Sequence, residues 1–134
     1  MDISIDRMRA VRTGRYKYIR NYLPAIPYTQ HNPYKEDNYP TWNLVKDLYK
    51  EGKLNAAQSL FASPVKPIEE LFDLHADPDE VHNLADNPAH KKTLKELRAL
   101  VDGFVNENDK LVTPEDPVDI YRGYYGHLPE DTDA

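Results

Sequence analysis

The sequence of 134 residues contains no cysteine. A disulfide framework, a thiolate zinc site and a cysteine nucleophile are therefore excluded for this chain. No apolar run approaches the length of a membrane span, so we expect no membrane partner. The first six residues lack a basic segment followed by an apolar one, and we expect no signal peptide. The lack of disulfides is compatible with both cytoplasm and periplasm, which leaves the compartment unknown.

An excess of positive charge is also missing. The chain has 17 Lys and Arg against 23 Asp and Glu, a net charge of −6. Nucleic acid is not an expected partner, because phosphate binding requires clustered Lys and Arg. The charges are uneven, since the charged residues of 1–20 are mostly basic and those of 115–134 mostly acidic. The basic segment is either a solvated face or a surface beside an anionic ligand or an acidic neighbour.

The chain has no motif of a self-sufficient active site. It lacks a Gly-x-Ser-x-Gly elbow, a glycine-rich phosphate loop and a pair of histidines at helical spacing. The acidic residues of 73–80 resemble an oxygen-ligand set, but Pro78 interrupts them and the central glycine of a calcium loop is missing. We read this stretch as turn chemistry, and we predict no catalytic and no metal-binding residue.

Two segments have the composition of β-strands. Residues 8–21 predict a hairpin, because apolar and basic residues alternate before a glycine-containing turn and aromatic residues follow it. We expect Met8, Ala10 and Tyr18 to share one face of it. Residues 69–74 predict a further strand.

Helical spacing of apolar residues predicts helices at 41–51, at 55–62 and, longest, at about 88–107. The last has one apolar stripe, formed by Leu94, Leu97, Leu100, Val101 and Phe104. Together these elements predict an α+β fold. We expect a small antiparallel sheet of about four strands, with one long C-terminal helix packed on it and short helices besides.

Residues 23–40 contain four prolines and are predicted to be irregular. Long irregular loops in compact domains are often functional. This loop brings four side chains suited to ligand contact within seven positions: Tyr28, Gln30, His31 and Tyr34. The alternative is a proline-rich strap that is purely structural.

Two runs resemble the C-terminal part of type I sulfatases. Residues 8–19 are similar to the family pattern R-x-V-R-x-x-x-Y-K-x-I. Residues 70–98 are similar to E-L-Y-D-L-x-x-D-P-x-E-x-x-N-L-A-x-x-P followed by L-x-x-L-R. Phe72 replaces the commoner Tyr, and Asn87 stands where Asp usually precedes the proline. Together the runs cover most of the chain.

The middle of the chain, with Trp42 and Gln58, looks most like the heparan N-sulfatase (sulfamidase) branch. The resemblance implies a sulfatase C-terminal subdomain over 1–112 and an acidic, partly ordered tail over 113–134. It also implies a non-catalytic part that packs on the catalytic domain and lines its substrate cleft. Family activity needs calcium and a formylglycine made in a Cys-x-Pro-x-Arg or Ser-x-Pro-x-Arg segment, and this sequence contains no such segment.

The chain therefore resembles a fragment, a split gene product or an excised domain. We expect no cofactor in it and no hydrolysis by it alone, and a periplasmic or secreted parent. The expected partners are a sulfatase N-terminal catalytic domain or a second copy, with a sulfated glycan as ligand. Tyr28 and Tyr34 would stack on sugar rings, and Gln30 and His31 would bind hydroxyls or sulfate. The alternative is an independent binding module for anionic, sulfated glycans.

Overall fold

The computed structural model of the chain describes Ser4 and residues 6–108. The predicted tail, 113–134, lies outside the described residues. The elements in chain order are β1 (Met8–Arg12), β2 (Tyr16–Asn21), α1 (Pro33–Asn38), α2 (Pro40–Lys50), α3 (Ala56–Ala62), β3 (Glu69–Asp73), a turn of 3-10 helix (Pro88–His90) and α4 (Lys91–Asn108).

These elements belong to two compact units. The sheet unit comprises Arg7–Tyr22 and 67–108, and the helical unit comprises Leu23–Lys66 with Ser4 and Asp6. No helix in the described part of the chain is long and apolar enough to span a bilayer.

The sheet unit is built on three antiparallel strands in the order β1-β2-β3. The β1-β2 hairpin therefore supplies one edge strand and the central strand. The predicted α+β class, the antiparallel sheet and the long C-terminal helix are confirmed, with three strands in the described residues. Because the hairpin turn contains three residues, Val11 pairs with Tyr18. The expectation that Met8 and Ala10 share a face with Tyr18 is wrong, since alternation places both on the opposite face.

The hydrophobic core of the sheet unit lies between the sheet and α4. Its buried members are Tyr18, Leu71, Leu94, Leu97 and Val101. The predicted stripe of α4 needs correction, because Leu100 and Phe104 are 55% and 54% exposed. Each residue turns a helix by about 100°, which places these two side chains on the flank of the buried row.

The loop that follows β3 closes the outer edge of that strand. The Asn83 side chain accepts a hydrogen bond from the Leu71 amide at 2.9 Å and donates one to the Glu69 carbonyl at 3.0 Å. The Leu84 amide then donates to the Leu71 carbonyl at 2.7 Å. The Asn83 side chain and the Leu84 amide together therefore take the place of a neighbouring strand. Among Ser4 and residues 6–108, no strand pairs with the outer edge of β1.

Carboxylates hold the turn between β3 and this loop. Asp77 accepts hydrogen bonds from the amides of Val81 and His82 at 3.1 and 2.8 Å. Glu80 has a positive φ of 55° and its carboxylate accepts from Lys17 Nζ at 2.9 Å. These contacts are those of a polar turn with one residue in the left-handed region.

The helical unit shows how the prolines of 23–40 are accommodated. The expectation that residues 23–40 are irregular is only partly correct, because α1 lies inside this segment. Pro33 and Pro40 stand at the first turns of α1 and α2, where the missing N–H of proline needs no partner. The Asn32 side chain caps α1 by accepting from the Lys35 amide at 3.0 Å. Two of the four prolines of this segment therefore mark helix starts.

Candidate functional site

The helical unit contains an open groove with a volume of about 1060 Å³. Its polar lining comes mainly from α2 and the chain before it, and its apolar lining from the prolines and the end of α3. The lining residues are Ala25, Pro27, Thr29, His31, Glu36, Asn43, Lys46, Asp47, Tyr49, Lys50, Ala62, Pro64 and Val65. No three His, Asp or Glu side chains in the described part of the chain are placed to hold a metal ion.

Glu36 connects two other polar residues of the groove lining, His31 and Lys46. Its Oε1 lies 3.0 Å from His31 Nδ1 and 3.2 Å from Lys46 Nζ, and it accepts from the Asn32 amide at 3.3 Å. Burial works to raise the pKa of Glu36, but the hydrogen bonds from Asn32 and Lys46 outweigh it and hold that pKa below its ordinary value. The ionised carboxylate can only accept, so His31 donates through Nδ1.

Three other polar side chains of the groove lining make no hydrogen bond or ion pair in the described part of the chain. Within the described residues, no hydrogen bond or ion pair occupies the side chains of Asp47, Tyr49 or Lys50. They stand in the last turns of α2 and supply an acceptor, a hydroxyl and a cationic donor. The groove thus combines residues that already pair with one another, namely His31, Glu36 and Lys46, with side chains that are able to bind a ligand.

Of the four side chains predicted to bind substrate, only His31 lines this groove. Tyr28 stacks on Phe61, with ring centroids 6.4 Å apart and an interplanar angle of 8°. Gln30 is 4% exposed. Tyr34 is exposed and meets Tyr39 edge to face at 5.9 Å. The structure does not assemble the four into one surface, and their role in binding stays a prediction.

The residues that sequence reasoning missed are those of α2, namely Asn43, Lys46, Asp47, Tyr49 and Lys50. Their signal was present, because positions 43, 46, 47 and 50 repeat at the spacing of one helix face. The same pattern is typical of a solvated helix face, and the sequence does not say that a loop borders it.

A buried cation anchors the segment beside the aromatic side chains. Lys66 has a fully buried side chain whose Nζ lies 2.6 Å from Asp6 Oδ1 and 5.3 Å from the Tyr28 ring centroid. Trp42 meets Phe61 edge to face at 6.3 Å, and Lys35 Nζ lies 4.6 Å from the Trp42 ring centroid. Tyr28 therefore contacts both the Phe61 ring and the Lys66 cation.

Several cations of the basic hairpin are paired with carboxylates of the sheet unit. Arg15 forms a bidentate pair with Asp73, with its shortest contact at 2.6 Å. This pairing is the main reason that the pKa of Asp73 falls to about 2. Lys17 pairs with Glu80 as described above. The acidic neighbours of the basic segment therefore include residues of this same chain.

Arg20 belongs to a further network between the sheet and α4. It pairs with Asp102, and its Nε donates to the Tyr18 hydroxyl at 3.0 Å. That hydroxyl donates to Glu69 at 2.6 Å, and Arg98 holds the same carboxylate through two contacts of 2.7 Å. The Arg98 hydrogen bonds chiefly lower the pKa of Glu69. The network joins a strand end to the long helix.

Comparison with known proteins gives no matching family model. Two curated relatives, both named ulvan-active sulfatase and both from Formosa agariphila, are similar to the chain. One is 46% identical over 104 residues, which cover 78% of this chain and 17% of the relative. The other is 35% identical over 89 residues, covering 66% of this chain and 15% of the relative. The chain therefore spans about a sixth of the length of the relatives that it matches.

Proposed function

We propose that this chain, which is related in sequence to part of two sulfatases, acts as the C-terminal, non-catalytic portion of a sulfatase. The observation that carries the proposal is the 46% identity over 104 residues. In this proposal the chain packs on a catalytic domain and lines the cleft in which a sulfated glycan binds.

The contacts of the sulfatase-like run support a scaffolding role. Asp73 pairs with Arg15, and Asn83 closes the edge of β3. Asp77 holds two turn amides, and Asn87 caps the turn of 3-10 helix that leads into α4. Each of these polar side chains therefore has a structural partner within the sheet unit. Such a run shapes a framework and leaves the chemistry to other residues.

We extend the proposal to the class of the parent enzyme, a type I sulfatase that uses formylglycine and calcium. Neither group fits this chain, since it has no cysteine and no Ser-x-Pro-x-Arg segment. The described residues also offer no cluster of His, Asp and Glu for a metal. The catalytic domain would therefore supply both groups, and this chain would supply only binding and positioning.

Two substrates remain as proposals for the parent. The similarity around Trp42 and Gln58 favours a sulfamidase-like enzyme acting on sulfamates. The names of both relatives favour an enzyme acting on ulvan. Release of sulfate from ulvan, compared with release from an N-sulfated glycan, separates the two.

A chimera tests the proposal. The matching segment of the Formosa agariphila relative that is 46% identical would be replaced by this chain. We expect a soluble enzyme that releases sulfate from ulvan, because the segment is a compatible framework. A chimera with Leu97→Asp should fail to fold, while its matched control, Lys95→Asp, should retain activity, since Leu97 is buried and Lys95 is exposed.

The proposal fails if the relative loses none of its activity on ulvan when the segment is deleted. It also fails if the chimera folds, shown by circular dichroism and by formylglycine content, but releases no sulfate. The alternative, an independent module for anionic glycans, predicts that the chain alone binds heparin with an affinity that falls steeply as salt rises.

A further inference from the structure

The groove of the helical unit is large enough to hold more than a small molecule. Its volume of about 1060 Å³ slightly exceeds the usual range of small-molecule sites, roughly 300–1,000 Å³. It is partly open to solvent, and its lining combines residues of α2 with Ala62, Pro64 and Val65. An open groove of this size accommodates a few units of a linear polymer.

The formal charges of the lining residues balance. Lys46 and Lys50 are opposed by Glu36 and Asp47, and one of these cations is already paired with Glu36 at 3.2 Å. A strongly anionic ligand would gain little here, because each cation has a carboxylate in the same lining. The groove differs in this from a surface built to hold several sulfate groups.

The three lining side chains that make no hydrogen bond or ion pair in the described part of the chain are suited to binding the hydroxyls of a sugar. Asp47 offers acceptors, Lys50 offers donors, and they stand three positions apart on α2, as residues on one face of a helix do. Neighbouring hydroxyls of a sugar donate and accept at once, and therefore match such a pair. Tyr49 adds a hydroxyl and an aromatic ring able to cover an apolar sugar face.

We propose that this groove binds the hydroxyl-rich, unsulfated part of a glycan chain, with Asp47, Tyr49 and Lys50 as the principal contacts. The inference rests on the proposed function for the identity of the glycan. His31 has a positioning role: the His31–Glu36–Lys46 contacts fix that part of the groove lining before the ligand arrives. The sulfate group lies outside the groove, at the catalytic domain.

The test is a titration of the isotope-labelled full chain, followed by amide NMR shifts. The probes are ulvan oligosaccharides and the same oligosaccharides after chemical desulfation. We expect shifts concentrated in residues 43–50 with both probes, and dissociation constants that agree within about threefold at low and at high salt. Shifts elsewhere, no binding, or loss of binding on desulfation would each overturn the proposal.

Variants give a second measurement. Asp47→Ala and Tyr49→Phe should each weaken binding about two- to tenfold, the usual effect of losing one hydrogen bond. Asp37→Ala, at an exposed position of α1 outside the groove, is the matched control and should bind as the wild type does. Equal affinities for all three variants would refute the assignment. An active chimera with no binding by the groove rejects this inference alone, while binding by the groove with an inactive chimera rejects the proposed function.

Discussion

The buried row on α4 can be tested by removing one leucine at a time. Leu97 and Leu100 lie three positions apart in the same helix, and the periodicity of the sequence gives them the same stripe. The structure separates them, because Leu97 is 4% exposed and Leu100 is 55% exposed. The pair Leu97→Ala and Leu100→Ala therefore changes the same chemistry in the same element at two levels of burial.

The expected costs differ clearly. Leu97 contacts the cluster of Tyr18, Leu71 and Val101, so its truncation leaves a cavity and should lower the free energy of unfolding by about 2–5 kcal/mol. Leu100 already exposes about half its surface, so its truncation should cost about 1 kcal/mol or less. Helix propensity cancels in the comparison, because both variants place alanine in the interior of α4.

Urea unfolding followed by circular dichroism at 222 nm measures both variants. Trp42 fluorescence serves as a separate probe, because the single tryptophan lies in the helical unit whereas both leucines lie in the sheet unit. If the two probes report coincident transitions, unfolding is a single cooperative step and one free energy of unfolding describes each variant. Equal losses for the two variants, or a larger loss for Leu100→Ala, would show that the helix face is assigned wrongly.

Four further predictions concern the polar contacts and the chemistry. The pKa of Glu69 is lowered from 4.5 in the native state, so its contribution to stability is present above that pH and is lost as the pH falls. Between neutral pH and pH values below 4.5, Glu69→Gln should therefore lose less stability than the wild type does. The pKa of Asp73 is lowered from 3.8 to about 2, so its contribution to stability is lost as the pH falls through this range. Acid unfolding of Asp73→Asn, followed by circular dichroism, should lack this loss of stability. Asn83→Ala should speed hydrogen exchange at the Leu71 amide, which loses its partner at 2.9 Å, and unchanged protection would contradict the edge closure. The purified chain should hydrolyse no aryl sulfate with or without calcium, and turnover near that of a complete sulfatase would contradict the division of labour proposed above.

Local signals predicted most of the fold. The hairpin was predictable because its turn and its alternation lie within 14 consecutive positions, 8–21. The start of α3 was predictable because Asn55 and Gln58 form a capping box from neighbouring positions. The start of α1 was missed, since Pro33 is compatible both with a loop and with a first helical turn, and only the cap at Asn32 decides between them.

Long-range geometry explains what could not be predicted. The exposure of Leu100 and Phe104 depends on how α4 is rotated over the sheet, and periodicity alone leaves that rotation open by one residue on either flank. The groove depends on which residues border α2. His31 was identified because it stands in an unusual loop, whereas Asp47 and Lys50 look like any solvated helix residues until Pro64 and Val65 are seen beside them.

The Asn83 side chain makes the two edges of the sheet different, because it occupies hydrogen-bonding groups on the edge of β3. A strand added beside β3 would have to displace three hydrogen bonds that this asparagine and Leu84 already make with the strand edge. At the opposite edge, no strand of the described residues pairs with the outer side of β1. β1 is short and carries Arg9 and Arg12, features that oppose indiscriminate pairing between copies. The β3 side of the sheet is therefore closed to strand addition by contacts from a single loop.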